Sequence, residues 1–279
     1  MPNHFSPVSF RKRGFTLLEL LVVVGIIGVL IALLLGAISA VRFRSKVAAC
    51  TSNYRQWGLA VSLYAHEDRG GRLPAWRMPL GNFRSAAQMS PWMVSLQMGT
   101  NLEPFGVTLP LWYCPQRPEW ASLDQTTFAA NHGGRRMSNL SDLTALWLTE
   151  STNYAPINHS WFVPRPIGNP SVSWPDPAVL KTRTSEGWPT RLEDPSAATQ
   201  PILTDFLISN WNEDRTSLEH SKGHLLPRVA PHFALGGFTP ELGWTRNINL
   251  LFVDGHVETR ARKQLQWQFE GTGNWVIAY

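Results

Sequence analysis

No residue between Leu20 and Val41 carries a charge, and the run is almost entirely apolar. At ~1.5 Å per residue a helix over it is about 33 Å long, matched to a hydrocarbon core of ~30 Å. The segment from about Leu17 to Val41 is therefore expected to cross a membrane, which confines any water-soluble fold to the residues beyond it. Glu19 lies at the start of this apolar helix. An ionisable group in such surroundings is costly unless it has a partner. If the chain is cut between Gly14 and Phe15, the new amine of Phe15 lies one helical turn from Glu19 on the same face, close enough to neutralise it.

Arg11, Lys12 and Arg13 directly precede Gly14-Phe15-Thr16-Leu17-Leu18-Glu19 and the apolar helix. This arrangement resembles the processing site of type IV pilins and type II secretion pseudopilins. The resemblance implies that residues 1–14 are a leader removed by a prepilin peptidase, which also methylates the amine of Phe15. It further implies that Glu19 serves in docking to other pilin or pseudopilin subunits, with an inner-membrane assembly platform and membrane lipid as further partners. An ordinary secretory signal cut near Ser39-Ala40 accounts less well for the run, because its apolar core spans only ~7–15 residues. An uncleaved anchor leaves Glu19 unexplained.

The orientation is not set by charge, since Arg42, Arg44 and Lys46 after the span balance the three basic residues before it. The resemblance places the leader in the cytoplasm and the head outside the cytoplasmic membrane, first as a single-pass protein and then in a pilus-like filament.

Beyond the span the helix is expected to continue to about Asp68. Val47, Cys50, Tyr54, Trp57, Val61 and Tyr64 form an apolar stripe at helical period, with Arg44, Lys46, Ser52, Asn53, Arg55 and Gln56 off it. Arg69-Gly70-Gly71 and then Pro74 stop it. The expected organisation is a leader at 1–14, a long helix at 15–68 and a head at 69–279. The fold class is α+β and pilin-like, with the second half of the helix packed on an antiparallel sheet.

In the head, Leu143 to Thr149 reads as a β-strand after a turn at Asn139 to Asp142. Pro201 to Phe206 reads as a shorter strand, Trp112 to Pro115 as a strand end with a turn, and residues 153–201 as a long loop rich in Pro, Ser and Thr. The clearest signal is Asn247 to Val253, Asp254-Gly255, and His256 to Arg260. Asp-Gly between two such runs predicts a hairpin at 247–260 with a tight type I′ turn.

Cys50-Thr51-Ser52-Asn53-Tyr54-Arg55-Gln56, the Cys114-Pro115 pair and this turn also resemble one large bacterial subgroup of the pilin-like proteins. That subgroup carries a His followed, after nine residues, by Asp-Gly. The corresponding position here is Trp244, so Asp254 and Gly255 survive as a structural motif without the His. The sequence leaves open whether Cys50 and Cys114 are bridged or are two thiols, because a bridge needs a Cα separation below ~7 Å.

The formal charge of +5 invites a nucleic-acid reading, yet three of the 25 basic residues are Arg11, Lys12 and Arg13, and 20 acidic residues nearly balance the rest. No nucleic-acid partner is expected. The 13 Trp residues are scattered and read as packing groups.

No Gly-x-Ser-x-Gly, His-Glu-x-x-His, phosphate-binding glycine loop or Cys-x-x-Cys is present. The best metal or hydrolase constellation would join Asp254 and His256 to one of His220, His224 or His232. A turn aspartate and a solvated histidine explain these residues with fewer assumptions, so no enzyme, cofactor or metal is expected. The expected function is a structural subunit of a type II secretion pseudopilus or type IV pilus-like filament. The runner-up is a membrane-anchored extracytoplasmic binding protein or minor tip subunit, and a membrane-anchored enzyme comes behind both.

Overall fold

The structure is a computed structural model that describes residues 16–78, 91–115, 118–149, 154–157, 159–175, 181–182, 187–205, 208–210, 247–261, 264, 267–271 and 275–278. The leader, Gly14, Phe15, Trp244, His220, His224 and His232 lie outside the described residues. Helix α1 spans Leu17–Glu67. The chain divides into two compact units, Met1–Val47 and Ala48–Tyr279, so the amphipathic part of α1 belongs to the same unit as the head.

In the first unit, Leu17–Leu35 has a mean hydropathy of 3.0 and is long and apolar enough to cross a membrane. Its large side chains are exposed throughout, Leu17 at 81% and Leu33 at 71%. Such a surface needs lipid or other apolar helices around it.

The second unit continues with β1 (Met93–Val94), α2 (Met98–Leu102), α3 (Pro118–Asn131), α4 (Leu140–Thr149), β2 (Ala155–Pro156), β3 (His159–Trp161), β4 (Arg165–Ile167), β5 (Asn169–Trp174) and β6 (Lys181–Thr182). It ends with β7 (Leu203–Asp205), β8 (Ile208–Asn210), β9 (Asn247–Leu251), β10 (Val257–Ala261), β11 (Trp267–Gly271) and β12 (Trp275–Ala278). Among the described residues the strands form two four-stranded sheets, ordered β10-β9-β7-β3 and β6-β11-β12-β8, and two ribbons, β1-β2 and β4-β5. Every pairing between named strands is antiparallel, and the fold is α+β.

The stripe on α1 faces this unit's core. Cys50, Tyr54, Trp57, Ala60, Val61 and Ala65 are buried together with Trp112, Leu143, Trp147, Trp161, Leu203 and Leu251. Trp57 sits between Trp112 and Trp161, at ring-centroid distances of 5.7 and 6.2 Å, and Trp112 continues to Trp147 at 5.4 Å. These tryptophans pack rather than line a surface. At the far end of α1, the Asp68 carboxylate accepts bonds from the backbone N–H groups of Gly70 and Arg72 and from the Arg72 guanidinium. The Arg72 contact holds that carboxyl well below its usual range.

Four sequence expectations are corrected. Leu143 to Thr149 is not a strand but most of α4. Asn139 Oδ1 accepts the Asp142 N–H at 2.8 Å, capping the helix, and Leu140, Leu143, Leu146 and Trp147 form its buried face. The stretch expected as a turn is the helix start. Trp112 closes a 3-10 helix, Leu109–Trp112, instead of ending a strand. The described parts of 153–201 hold β2 to β6 and a 3-10 turn at Pro195–Ala198, so this stretch is not one long loop.

The hairpin turn also differs from the expected type I′. β9 and β10 pair with Leu251 opposite Val257. Gly255 N–H donates to Phe252 O at 3.0 Å, and Phe252 N–H donates to His256 O at 3.1 Å. With Gly255 at φ +85°, this is a three-residue loop of the type I plus G1-bulge kind, not a two-residue type I′ turn. Asp-Gly serves both turns, because each needs a left-handed glycine.

The turn rests on α1 at Gly58. A Cβ there would lie 2.9 Å from Leu251 Cδ1 and 3.2 Å from Gly255 Cα. Alanine in an open helix position gains about 1 kcal/mol over glycine. Here it must push a hairpin backbone, and such overpacking costs about 1–3 kcal/mol. Gly58→Ala is therefore expected to destabilise the detergent-solubilised chain by about 1 kcal/mol net, read as a lowered urea midpoint. A raised midpoint would show that the turn can move off the helix freely.

Candidate functional site

The sequence singles out the start of α1. Thr16 N–H and Thr16 Oγ1–H both donate to Glu19 Oε2 at 2.8 Å, and Glu19 N–H donates back to Thr16 Oγ1 at 3.2 Å. Thr16 and Glu19 thus form a reciprocal capping box over the first turn of α1. Glu19 occupies the first turn, where the positive end of the helix dipole favours an acid. Thr16-x-x-Glu19 signals this in the sequence, but an expectation centred on the charge of Glu19 passes over it. The box also holds the carboxylate against the backbone N–H of Thr16, the residue next to Phe15.

Beyond this turn the apolar helix has a shallow depression lined by Val22, Gly25, Ile26, Val29 and Leu30. A Cβ built on Gly25 or Gly28 meets nothing within 4 Å. Small residues along an apolar helix allow another helix to approach closely.

In the head, a polar cluster that sequence reasoning does not assemble lies at the junction of α1, β3, β7 and β9. Tyr54 OH donates to Asp205 Oδ1 at 2.8 Å, and the Asn249 N–H donates to Asp205 Oδ2 at 2.7 Å. His159, opposite Asp205 in the β3–β7 register, places Nδ1 3.3 Å from Tyr54 OH. Because the tyrosine proton goes to Asp205, Nδ1–H is the donor in that contact. Burial raises the Asp205 carboxyl above its usual range, against the bonds from Asn249, Tyr54 and Cys50 that lower it. Burial likewise pushes His159 down to about 4, so its ring is neutral at pH 7. The cluster cross-links the helix to three strands.

Cys50 and Cys114 meet at the edge of this cluster. Their Sγ atoms are in hydrogen-bond contact at 3.8 Å without a disulfide, and Cys50 Sγ lies 3.9 Å from Asp205 Oδ1. Both cysteines named from the sequence are thus brought together.

Asp254 and His256 are also neighbours, but in a local turn. Asp254 Oδ1 accepts the His256 N–H at 3.0 Å and lies 2.6 Å from His256 Nδ1, while the ring stacks on Phe252 at 4.3 Å. Asp254 therefore fixes the loop that Gly255 closes. Among the described residues, no group of three or more His, Cys, Asp or Glu side chains is placed to hold a metal ion.

Comparison with known proteins bears on the first of these places. Residues 9–39 match the family model for the prokaryotic N-terminal methylation motif. No curated protein and no solved structure matches the chain. The motif supports a pilin-like protein that is processed by prepilin peptidase and assembles with other pilins.

Proposed function

We propose that this chain is a subunit of a type II secretion pseudopilus or a type IV pilus-like filament. Prepilin peptidase cuts between Gly14 and Phe15 and methylates the new amine. The apolar half of α1 holds the monomer in the cytoplasmic membrane with the head outside. The assembly platform then extracts the subunit, and apolar helices bundle into the filament core. The protein works as a building unit and not as an enzyme.

The observation that carries this reading is the methylation motif across residues 9–39. The fully exposed apolar surface of Leu17–Leu35 accords with it, since lipid and a bundle of like helices both satisfy that surface. The Thr16–Glu19 box adds a chemical reason for the site's spacing. A carboxylate already turned toward the backbone at residue 16 is one residue from the amine that cleavage would create.

The test is the N-terminal peptide of the membrane-extracted protein, read by mass spectrometry. A peptide that starts at Phe15 and carries one methyl group is expected. A start near Val41 would mean a freely secreted domain, and an uncut leader would mean a plain anchor. Either result overturns the filament reading.

A further inference from the structure

We propose that Cys50 and Cys114 form a disulfide once the head enters an oxidising compartment, a step that rests on the export reading above. These are the chain's only two cysteines, so one pairing alone exists. They are 64 residues apart in sequence, yet their Sγ atoms are 3.8 Å apart in the fold. A bond requires closure to ~2.05 Å. Cys50 is fixed on α1 and buried, whereas Cys114 lies outside any helix or strand, between the Leu109–Trp112 turn and Pro115, and is half-buried. An oxidant can therefore reach Cys114, and the segment that carries it is not locked into a helix or strand.

The two thiols have different roles. The hydrogen bond with Cys114, burial and the Asp205 charge all push the Cys50 thiol up, so it is the poorer first nucleophile. The Cys114 thiolate attacks the disulfide of a thiol–disulfide oxidant. The oxidant's S–S bond breaks, one of its thiolates leaves, and a mixed disulfide forms on Cys114. Cys50 then passes its proton to Asp205 Oδ1, 3.9 Å away, and attacks Cys114 Sγ. The Cys50–Cys114 bond forms, the mixed bond breaks, and the second oxidant thiolate leaves. Two protein thiols are oxidised and one oxidant disulfide is reduced.

This gives the half-buried Asp205 a purpose beyond the cross-link. It is a positioning residue for Tyr54 and a proton acceptor for Cys50. The bond ties the amphipathic half of α1 to the segment before Pro115, which constrains the unfolded chain across a loop of 64 residues.

The full chain, quenched at lysis with N-ethylmaleimide, is mapped by mass spectrometry without reduction. A Cys50 peptide joined to a Cys114 peptide, with no maleimide on either, is expected. Alkylated thiols in a chain that starts at methylated Phe15 overturn the bridge. Alkylated thiols in a chain uncut at Gly14 overturn the export reading instead. Oxidised glutathione added to the reduced, detergent-solubilised chain then decides the bridge by itself. Internal linkage supports it, and glutathione held on Cys114 alone overturns it.

The linked chain should melt about 10 °C above both the reduced chain and the Cys114→Ser variant. Equal melting of linked and reduced chains overturns the staple. One zinc ion per chain that protects both thiols until a chelator is added overturns the bridge in favour of a metal thiolate.

Discussion

Glu19→Ala is expected to lower the yield of sheared filaments by roughly 100-fold or more, while cleavage at Gly14 and the unfolding midpoint of the head stay as in the wild type. The reason lies in what the carboxylate does before and after processing. In the single chain it closes the first turn of α1 through Thr16. In the filament it is proposed to meet the Phe15 amine of a neighbour, and without it that amine is buried in apolar surroundings with no counter-charge. The two roles separate in Glu19→Gln. Glutamine completes a capping box as glutamate does, but it cannot neutralise an amine. If pairing with the amine drives assembly, Gln should fail nearly as badly as Ala. If Gln assembles like the wild type, Glu19 is a helix cap, and the charge-pairing mechanism falls. Filament protein is read by immunoblot against the membrane pool, with the N-terminal peptide confirming processing in each variant.

The parts of this molecule legible in the sequence are those whose physics is local. The apolar span shows through uninterrupted composition, and the buried face of α1 shows through the spacing of Cys50, Tyr54, Trp57 and Val61. The hairpin shows through two β-type runs around Asp254-Gly255. Its loop length does not, because Asp-Gly is compatible with two turn families and only the register of Leu251 on Val257 chooses between them.

Helix α4 looks like a strand in the sequence for a related reason. Leu143, Ala145 and Trp147 alternate as a strand would, and the same letters place Leu140, Leu143, Leu146 and Trp147 on one helical face. The deciding signal was the cap, Asn139 to Asp142. What could not be read at all was long-range. Tyr54 shows on its stripe and residues 201–206 show as a strand, but nothing local brings Tyr54 to Asp205, 151 residues on. Arg165 is similar. It is buried, with its guanidinium on the backbone carbonyls of Trp161 and Met93 and 4.5 Å above the Trp174 ring, and Met93 comes from 72 residues away only when the chain is folded.

Trp57→Ala is expected to have the opposite signature from Glu19→Ala: normal processing of the N-terminus and a head destabilised by about 3–5 kcal/mol. Trp57 is completely buried, and its indole N–H donates to Leu111 O at 3.0 Å. Its ring lies between Trp112 and Trp161, so truncation opens a cavity lined by large rigid rings that cannot collapse into it. Of that loss, about 1–3 kcal/mol belongs to the hydrogen bond that the Leu111 carbonyl gives up. Against a domain stability of ~5–15 kcal/mol, such a loss leaves much of the head open to protease at 37 °C. Trp57→Phe keeps most of the apolar volume and loses only the indole donor, so its cost should be close to the hydrogen-bond part alone. Urea midpoints of the detergent-solubilised variants, read by pulse proteolysis, separate the two contributions. Equal midpoints for Ala and Phe would show that the cavity relaxes, and that the tryptophan cluster is not what seats α1 in the head. Because the proposed cut at Gly14 is far along the chain from Trp57, both variants should still start at methylated Phe15. Loss of filaments in Trp57→Ala would then trace to a failing head, whereas loss in Glu19→Ala would occur with the head intact.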